Sequence, residues 1–318
     1  MSAIAKYKSE VDGKTIDWEK CSDKERRTAA NAIFIPRGFT DRFVDAMQEL
    51  REGSREGAEA MCLVVVGERG VGKTTLLERY ADMNPAQRIV DENVVTITRP
   101  VVYLAFPPSP TLKGSATAFL TALAGKSSAR GSRSDLTQRI KELLTDLRTE
   151  LVIADEFQHV RAEGARGKSE VANWLKNIIK DTGVPFVLSG MPETVDIIQA
   201  DDQLHSLTEE PTIITPYDWE TTASQNAWRA LLAKIDLELP FNQRSELAAE
   251  DTARDLFKCT TGNLRALRAL LRIATVRALR NKGKLLTLDD LAGGYDRLPK
   301  PVGVKGNPFD KNGLFSHD

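Results

Sequence analysis

At 318 residues the chain is long for one compact domain and sufficient for two. Its 41% hydrophobic and 28% charged residues exclude a mainly disordered protein. Lys and Arg number 44 against 45 Asp and Glu, a net charge of −1, so any affinity for nucleic acid must come from a local patch. No run approaches the roughly 18 apolar residues of a membrane-spanning helix. The segment from Met1 to Lys14 has no apolar core of signal-peptide length, so the expected location is the cytoplasm. Cys21, Cys62 and Cys259 lie far apart and fit no metal-ligand spacing, which reads as reduced thiols.

In chain order, residues 1–27 are polar and end in the charge run Asp23 to Arg27, which reads as an arm, solvated or docked on a neighbour. Phe43, Ala46, Met47 and Leu50 recur at helical spacing from Thr40, and Arg51 to Gly57 reads as a polar loop. Met61 to Val66 is continuously apolar and β-branched, a buried strand. A glycine-punctuated loop and a helix over Thr74 to Met83 follow. Further strands are expected at Val101–Phe106, Leu151–Ala154, Pro185–Leu188 and Thr212–Ile214, separated by helical periods at Thr117–Leu123, Leu136–Leu147 and Glu170–Ile179. Strands alternating with helices imply a parallel five-stranded sheet covered on both faces. After Pro216 the strand runs stop, and helices are expected near Thr222–Ile235, Ser245–Lys258, Gly262–Asn281 and Leu288–Gly293. The expected organisation is an arm over 1–27, an α/β core over 28–216, an all-helical subdomain over 217–298 and a flexible tail over 299–318.

The sharpest chemical signal is Gly67-Glu68-Arg69-Gly70-Val71-Gly72-Lys73-Thr74, which matches G-x4-G-K-[ST] between a strand and a helix. Glycines let backbone amides turn toward phosphates, and the following helix aims its positive end at them. Lys73 would reach the β- and γ-phosphates, the Thr74 hydroxyl would ligate Mg²⁺, and Thr75 adds a contact. The second signal is an apolar strand that delivers Asp155 and Glu156 to its C-terminal end, where open α/β sheets bind ligands. Asp155 would hold Mg²⁺ and Glu156 would polarise the attacking water. The strand ending in Leu188-Ser189-Gly190 places a hydroxyl that either senses the γ-phosphate or simply closes the strand.

Two basic segments complete the reading. From Gly262 to Lys284 there are seven basic residues and no acidic one. A solvated face packed through its leucines accounts for most of them, but Arg265 at the helix start is placed to cover a nucleotide. Lys113, Lys126, Arg130 and Arg133 follow the second strand, either as a plain surface loop or as a grip on phosphates. No aromatic interleaving suggests stacking on single strands, so a duplex backbone fits better.

Together these features resemble the AAA+ ATPases, and within them the TniB/TnsC transposition regulators. The resemblance spans about residues 28–295. It rests on Ile33-Phe34-Ile35-Pro36-Arg37, on Gly67 to Thr75, on Ile153-Ala154-Asp155-Glu156-Phe157-Gln158-His159-Val160, on Leu188-Ser189-Gly190-Met191-Pro192-Glu193, on Asp202-Gln203-Leu204 and on Gly262-Asn263-Leu264-Arg265. It implies a helical lid and an ATP- and Mg²⁺-dependent homo-oligomer, ring or filament, assembled on duplex DNA. Such an oligomer links a TniQ-like target selector to a TniA/TnsB-like DDE transposase, and hydrolysis disassembles it. It also implies that Ile35 and Pro36 lie near adenine, that Ser189 and Arg265 act as first and second sensors, and that loops after the second strand face DNA. Where the family shows arginines after Leu204, this chain has His205-Ser206-Leu207, so Arg161 and Arg166 become the substitutes for the trans-acting arginine. Two other readings stay open: another AAA+ remodeller, IstB-like or helicase-loader-like, and a nucleotide-latched DNA-binding scaffold with little turnover.

Overall fold

The computed structural model describes residues 10–11, 14–33, 40–56, 60–91, 94–108, 110–125, 130–160, 170–304 and 306–310. They form two compact units: Gly38–Thr215, and a second unit made of the chain before residue 38 together with the chain from Pro216 onward.

The second unit opens with a two-residue antiparallel pair, β1 (Glu10–Val11) and β2 (Lys14–Thr15), followed by α1 (Asp23–Ala32). In the first unit α2 (Thr40–Arg55) leads to β3 (Cys62–Gly67) and α3 (Lys73–Met83). A hairpin of β4 (Gln87–Asp91) and β5 (Val94–Thr98) precedes β6 (Val101–Ala105), α4 (Leu112–Ala124) and α5 (Arg133–Asp146). Then come β7 (Leu151–Asp155), α6 (Glu170–Thr182), β8 (Phe186–Gly190), α7 (Thr194–Gln199), α8 (Asp202–His205) and β9 (Thr212–Ile214).

The main sheet has the order β6-β7-β8-β3-β9 and is parallel throughout. Strands β3, β7 and β8 are buried along their whole length. A strand covered on both faces can be apolar at every position, which is why these three were legible as continuous runs. The register pairs Ala105 with Asp155, Ala154 with Leu188, Val65 with Ser189 and Gly67 with Ile214, so the C-terminal ends of all five strands share one edge. Phe119 of α4 meets both Phe186 and Trp174 edge-on, with ring centroids 6.1 and 6.5 Å apart. The ion pairs Arg133–Glu170 and Lys141–Asp181 run in the same sense, so α5 and α6 descend side by side from that edge.

Two local expectations change. The β4–β5 pair, antiparallel from Gln87↔Thr98 to Asp91↔Val94, has no counterpart in the sequence reading. The loop expected from Arg51 continues instead as α2 to Arg55. Arg51 is only 5% exposed, and its guanidinium meets Glu150 at 2.6 Å, Asn84 at 2.6 Å and the Tyr80 hydroxyl at 3.3 Å. Burial alone would raise the Glu150 pKa, but the hydrogen bonds from Arg55 and Arg51 outweigh it and hold the carboxyl below its ordinary value.

In the second unit α1 packs against α11 (Leu264–Arg280), which also meets α10 (Glu250–Thr260) and α12 (Leu288–Tyr295), while α10 meets α9 (Thr222–Glu238). Much of the segment read as an arm is therefore structural. Trp18 is buried, and its backbone amide donates to Asn242 Oδ1 at 2.8 Å. Arg26 donates to the Pro240 carbonyl at 2.9 Å and covers the Phe241 ring. The segment read as a tail also returns to this unit: Phe309 is buried, and Asn307 donates to the Ala292 carbonyl at 3.0 Å. The three cysteines are free thiols, and burial pushes the Cys62 and Cys259 thiols up to about 12.

Candidate functional site

The phosphate-loop sequence lies between β3 and α3, at the sheet edge where the strands end. Gly70 and Gly72 have φ of 83° and 106°, left-handed values that a side chain at Cβ would resist. Gly72 is also the N-cap of α3, so no side-chain oxygen caps that helix. Elsewhere Ser22, Thr111, Ser132, Thr221, Asn263 and Thr287 each supply such an oxygen. A helix start without a side-chain cap keeps its positive end available to an anion. Lys73 is buried, and its Nζ donates to the Gly67 carbonyl at 2.5 Å and to Glu68 at 3.1 Å, which curls the side chain back over its own loop. Glu68, Arg69 and Thr75 are exposed, and Val71 is buried beneath the loop.

Strand β7 brings Asp155 beside this loop. The Thr74 hydroxyl donates to Asp155 Oδ2 at 2.7 Å, across 81 residues of sequence. Tyr103, on the neighbouring strand β6, donates to the same oxygen at 3.0 Å. The Glu156 amide donates to Oδ1 at 2.8 Å. The carboxylate is 2% exposed and is held at both oxygens. Burial, and after it the Asp155 charge, pushes the Tyr103 phenol above its ordinary pKa, so it stays a protonated donor. Glu156 takes a left-handed φ of 57° immediately after the strand, a conformation uncommon for a residue with a side chain.

The rest of the Asp-Glu-Phe-Gln-His run is accounted for residue by residue. Phe157 is fully buried and meets Phe106 edge-on at 5.9 Å. Gln158 hydrogen-bonds both Glu156 and the Met191 amide. His159 Nδ1 pairs with the Phe106 carbonyl at 3.0 Å. On β8, Ser189 is fully buried and its Oγ has no hydrogen-bond partner within the protein; Thr194 Oγ1 is in the same state. Buried hydroxyls left unpaired are uncommon and call for a reason.

Asp155, Glu156, Ser189, Lys73 and Thr74 thus lie on adjoining strand ends and one loop of a single unit. Lys113 and Arg133 are exposed in the first turns of α4 and α5, where Arg133 pairs loosely with Glu170 at 3.8 Å; Arg130 is exposed just before α5. Arg265 belongs to the second unit, exposed in the first turn of α11, where Asn263 Oδ1 accepts its amide at 3.0 Å. Ile35, Pro36, Lys126, Arg161 and Arg166 lie outside the described residues. Sequence reasoning missed Tyr103, which carries no motif signal. It quoted Gln158 only as part of a family run.

A carboxylate beside a threonine hydroxyl is an oxygen-only donor pair suited to a hard cation such as Mg²⁺. The orphaned Ser189 hydroxyl at the neighbouring strand end adds a polar atom that lacks a partner from the protein. These residues fit a magnesium nucleotide.

No helix among the described residues is long and apolar enough to cross a membrane. No curated protein matches the sequence. Among solved structures, ORC2 of Aeropyrum pernix is similar over 85% of this chain and 71% of its own, with TM-score 0.60 and 15% identity. The Cdc6 protein of Pyrobaculum aerophilum is similar over 87% of this chain and 72% of its own, with TM-score 0.61 and 12% identity. The Aeropyrum pernix ORC1 protein, solved in complex with DNA, is similar over 82% of this chain and 65% of its own, with TM-score 0.58 and 16% identity. These likenesses concern the fold, which is that of the AAA+ ATPases. The family described as bacterial TniB protein matches residues 28–212, more than half of the sequence and all of the loop, the acidic strand end and the Ser189 strand. The chain belongs to the TniB family.

Proposed function

We propose that the protein is an ATP hydrolase that assembles as a homo-oligomer on duplex DNA and regulates transposition. In this role it joins a TniQ-like target selector to a TniA/TnsB-like transposase and disassembles on hydrolysis. The observation that carries the ATPase reading is the Thr74–Asp155 hydrogen bond of 2.7 Å, which ties the phosphate loop to the acidic strand end. Family membership supports the transposition role. The similar ORC2 structure holds ADPNP and ADP, and the similar ORC1 structure holds DNA, which supports adenine nucleotide and DNA as ligands.

Amides of residues 68–75 and the Lys73 ammonium bind the phosphates. Thr74 and Asp155 would hold Mg²⁺, which when bound would supply positive charge against the phosphate oxygens. Glu156 accepts a proton from the attacking water. Ser189 Oγ donates to the γ-phosphate or to that water, the partner it lacks within the protein. Arg265 contributes from the lid, and Arg161 or Arg166 from a neighbouring copy. Ile35 and Pro36 contact adenine, while Lys113, Lys126, Arg130 and Arg133 contact the duplex backbone.

Hydrolysis measured with and without duplex DNA tests the reading. Turnover should rise with DNA and vanish in Lys73→Ala, and imaging with ATP and duplex should show rings or filaments. A flat rate together with a monomer under both conditions would remove the proposal. The replacement of the family's arginines by His205-Ser206-Leu207 favours one second reading, the nucleotide-latched scaffold. Slow turnover at every DNA concentration alongside tight ATP-dependent assembly would select it.

A further inference from the structure

The Glu156 carboxylate sits at the end of a side chain with three rotatable bonds, just after the tip of β7. A base aims at water only after that rotamer freedom is removed. Gln158 supplies the restraint. Its own position is fixed from both sides: Phe157 is fully buried against Phe106, and His159 pairs with the Phe106 carbonyl at 3.0 Å. The Met191 amide donates to Gln158 Oε1 at 3.0 Å. An amide N–H must face an oxygen, so this bond orients the side chain and turns Nε2 the other way, where it donates to Glu156 Oε2.

Gly190 makes room for this arrangement. A Cβ at that position would fall 2.6 Å from Gln158 Oε1 and 2.2 Å from Thr194 Oγ1, both far inside contact distance. The Ser-Gly-Met sequence that ends β8 and the Asp-Glu-Phe-Gln sequence that ends β7 are therefore complementary halves of one bridge. It runs from Glu156 through Gln158 to the Met191 amide, two residues beyond Ser189.

We propose that Gln158 is a positioning residue that holds the Glu156 carboxylate in its working orientation and ties it to the end of β8. The proposal rests on Glu156 acting as the base. It does not require Gln158 to touch nucleotide.

The test uses the full chain with duplex DNA, Mg²⁺ and ATP. It measures kcat, mant-ATP affinity and the thermal midpoint for wild type, Gln158→Ala, Gln158→Glu and Gly190→Ala. General-base catalysis contributes about 10²–10⁴-fold, and loss of aim should forfeit at least roughly tenfold in kcat. Gln158→Glu keeps size and the acceptor for Met191 but sets carboxylate against carboxylate, so it should fall at least as far as Gln158→Ala. Gly190→Ala should reproduce the loss by displacing the amide. In all three, mant-ATP affinity should stay within about twofold, since general-base catalysis is separate from ground-state binding. A kcat unchanged or raised in both Gln158 variants overturns the proposal, as does a parallel loss of affinity. If Gln158→Glu fails to fold, Gln158→Ala and Gly190→Ala decide. Wild-type protein that binds mant-ATP without hydrolysing it would overturn the reading of Glu156 as base, and this inference with it.

Discussion

The tips of β7 and β8 lie side by side in one sheet but treat their polar groups in opposite ways. Asp155, at the end of β7, has both oxygens occupied by Thr74, Tyr103 and the Glu156 amide. Ser189, on β8, keeps a fully buried hydroxyl with no partner, and Thr194 beyond it does the same. A satisfied buried carboxylate is a rigid fixture. An unsatisfied buried hydroxyl costs on the order of 1–3 kcal/mol, which a ligand or a water can recover. The β7 tip is thus preorganised by the protein itself, while the β8 tip holds polar capacity in reserve. Gln158 connects the two, with one end of its amide on each side.

The contrast breaks most severely at its fixed end. Asp155→Asn turns one acceptor into a donor among three donors, so Mg²⁺-dependent mant-ATP binding should weaken by more than the ~10–100-fold typical of an outer-shell partner. A magnesium titration of fluorescence checks it, with wild-type dependence as the contrary result. Tyr103→Phe removes one donor and keeps the ring. The magnesium concentration for half-maximal mant-ATP binding should rise roughly tenfold, at the low end of that same range, while affinity at saturating magnesium stays near wild type.

The reserved end should respond differently. Ser189→Ala removes a hydroxyl that has no partner, so without nucleotide the stability should hold or rise, by up to the roughly 1–3 kcal/mol that the unsatisfied group costs. With Mg-ATP, turnover should drop several-fold. A variant that loses stability in the nucleotide-free protein would show that this hydroxyl is already satisfied and would erase the contrast. Stability is best compared by urea titration at fixed nucleotide concentration, because bound ligand itself shifts the midpoint.

Much of the site was legible from local pattern. The Gly67 to Thr74 loop announces itself because glycine spacing and the lysine are contiguous, and Asp155-Glu156 because an apolar run precedes them. The long-range partners were not legible. Tyr103 reaches Asp155 across 52 positions and Gln158 reaches Met191 across 33. Those meetings depend on the strand order, which places β6 beside β7 and β8 between β7 and β3.

The same division holds for the whole chain. The sequence by itself determined the strand–helix alternation, the phosphate loop, the acidic strand end and the change to helices after Pro216, since each follows from short-range periodicity and backbone chemistry. The tertiary structure alone decided that Trp18 and Phe309, from segments that read as arm and tail, are buried in the same unit. It also decided that Arg51 and Arg55 extend α2 to meet Glu150, and that Asp155 is hydrogen-bonded at both oxygens while the Ser189 hydroxyl has no partner within the protein. Burial and hydrogen-bond satisfaction depend on which distant residues arrive, and no local spacing carries that information.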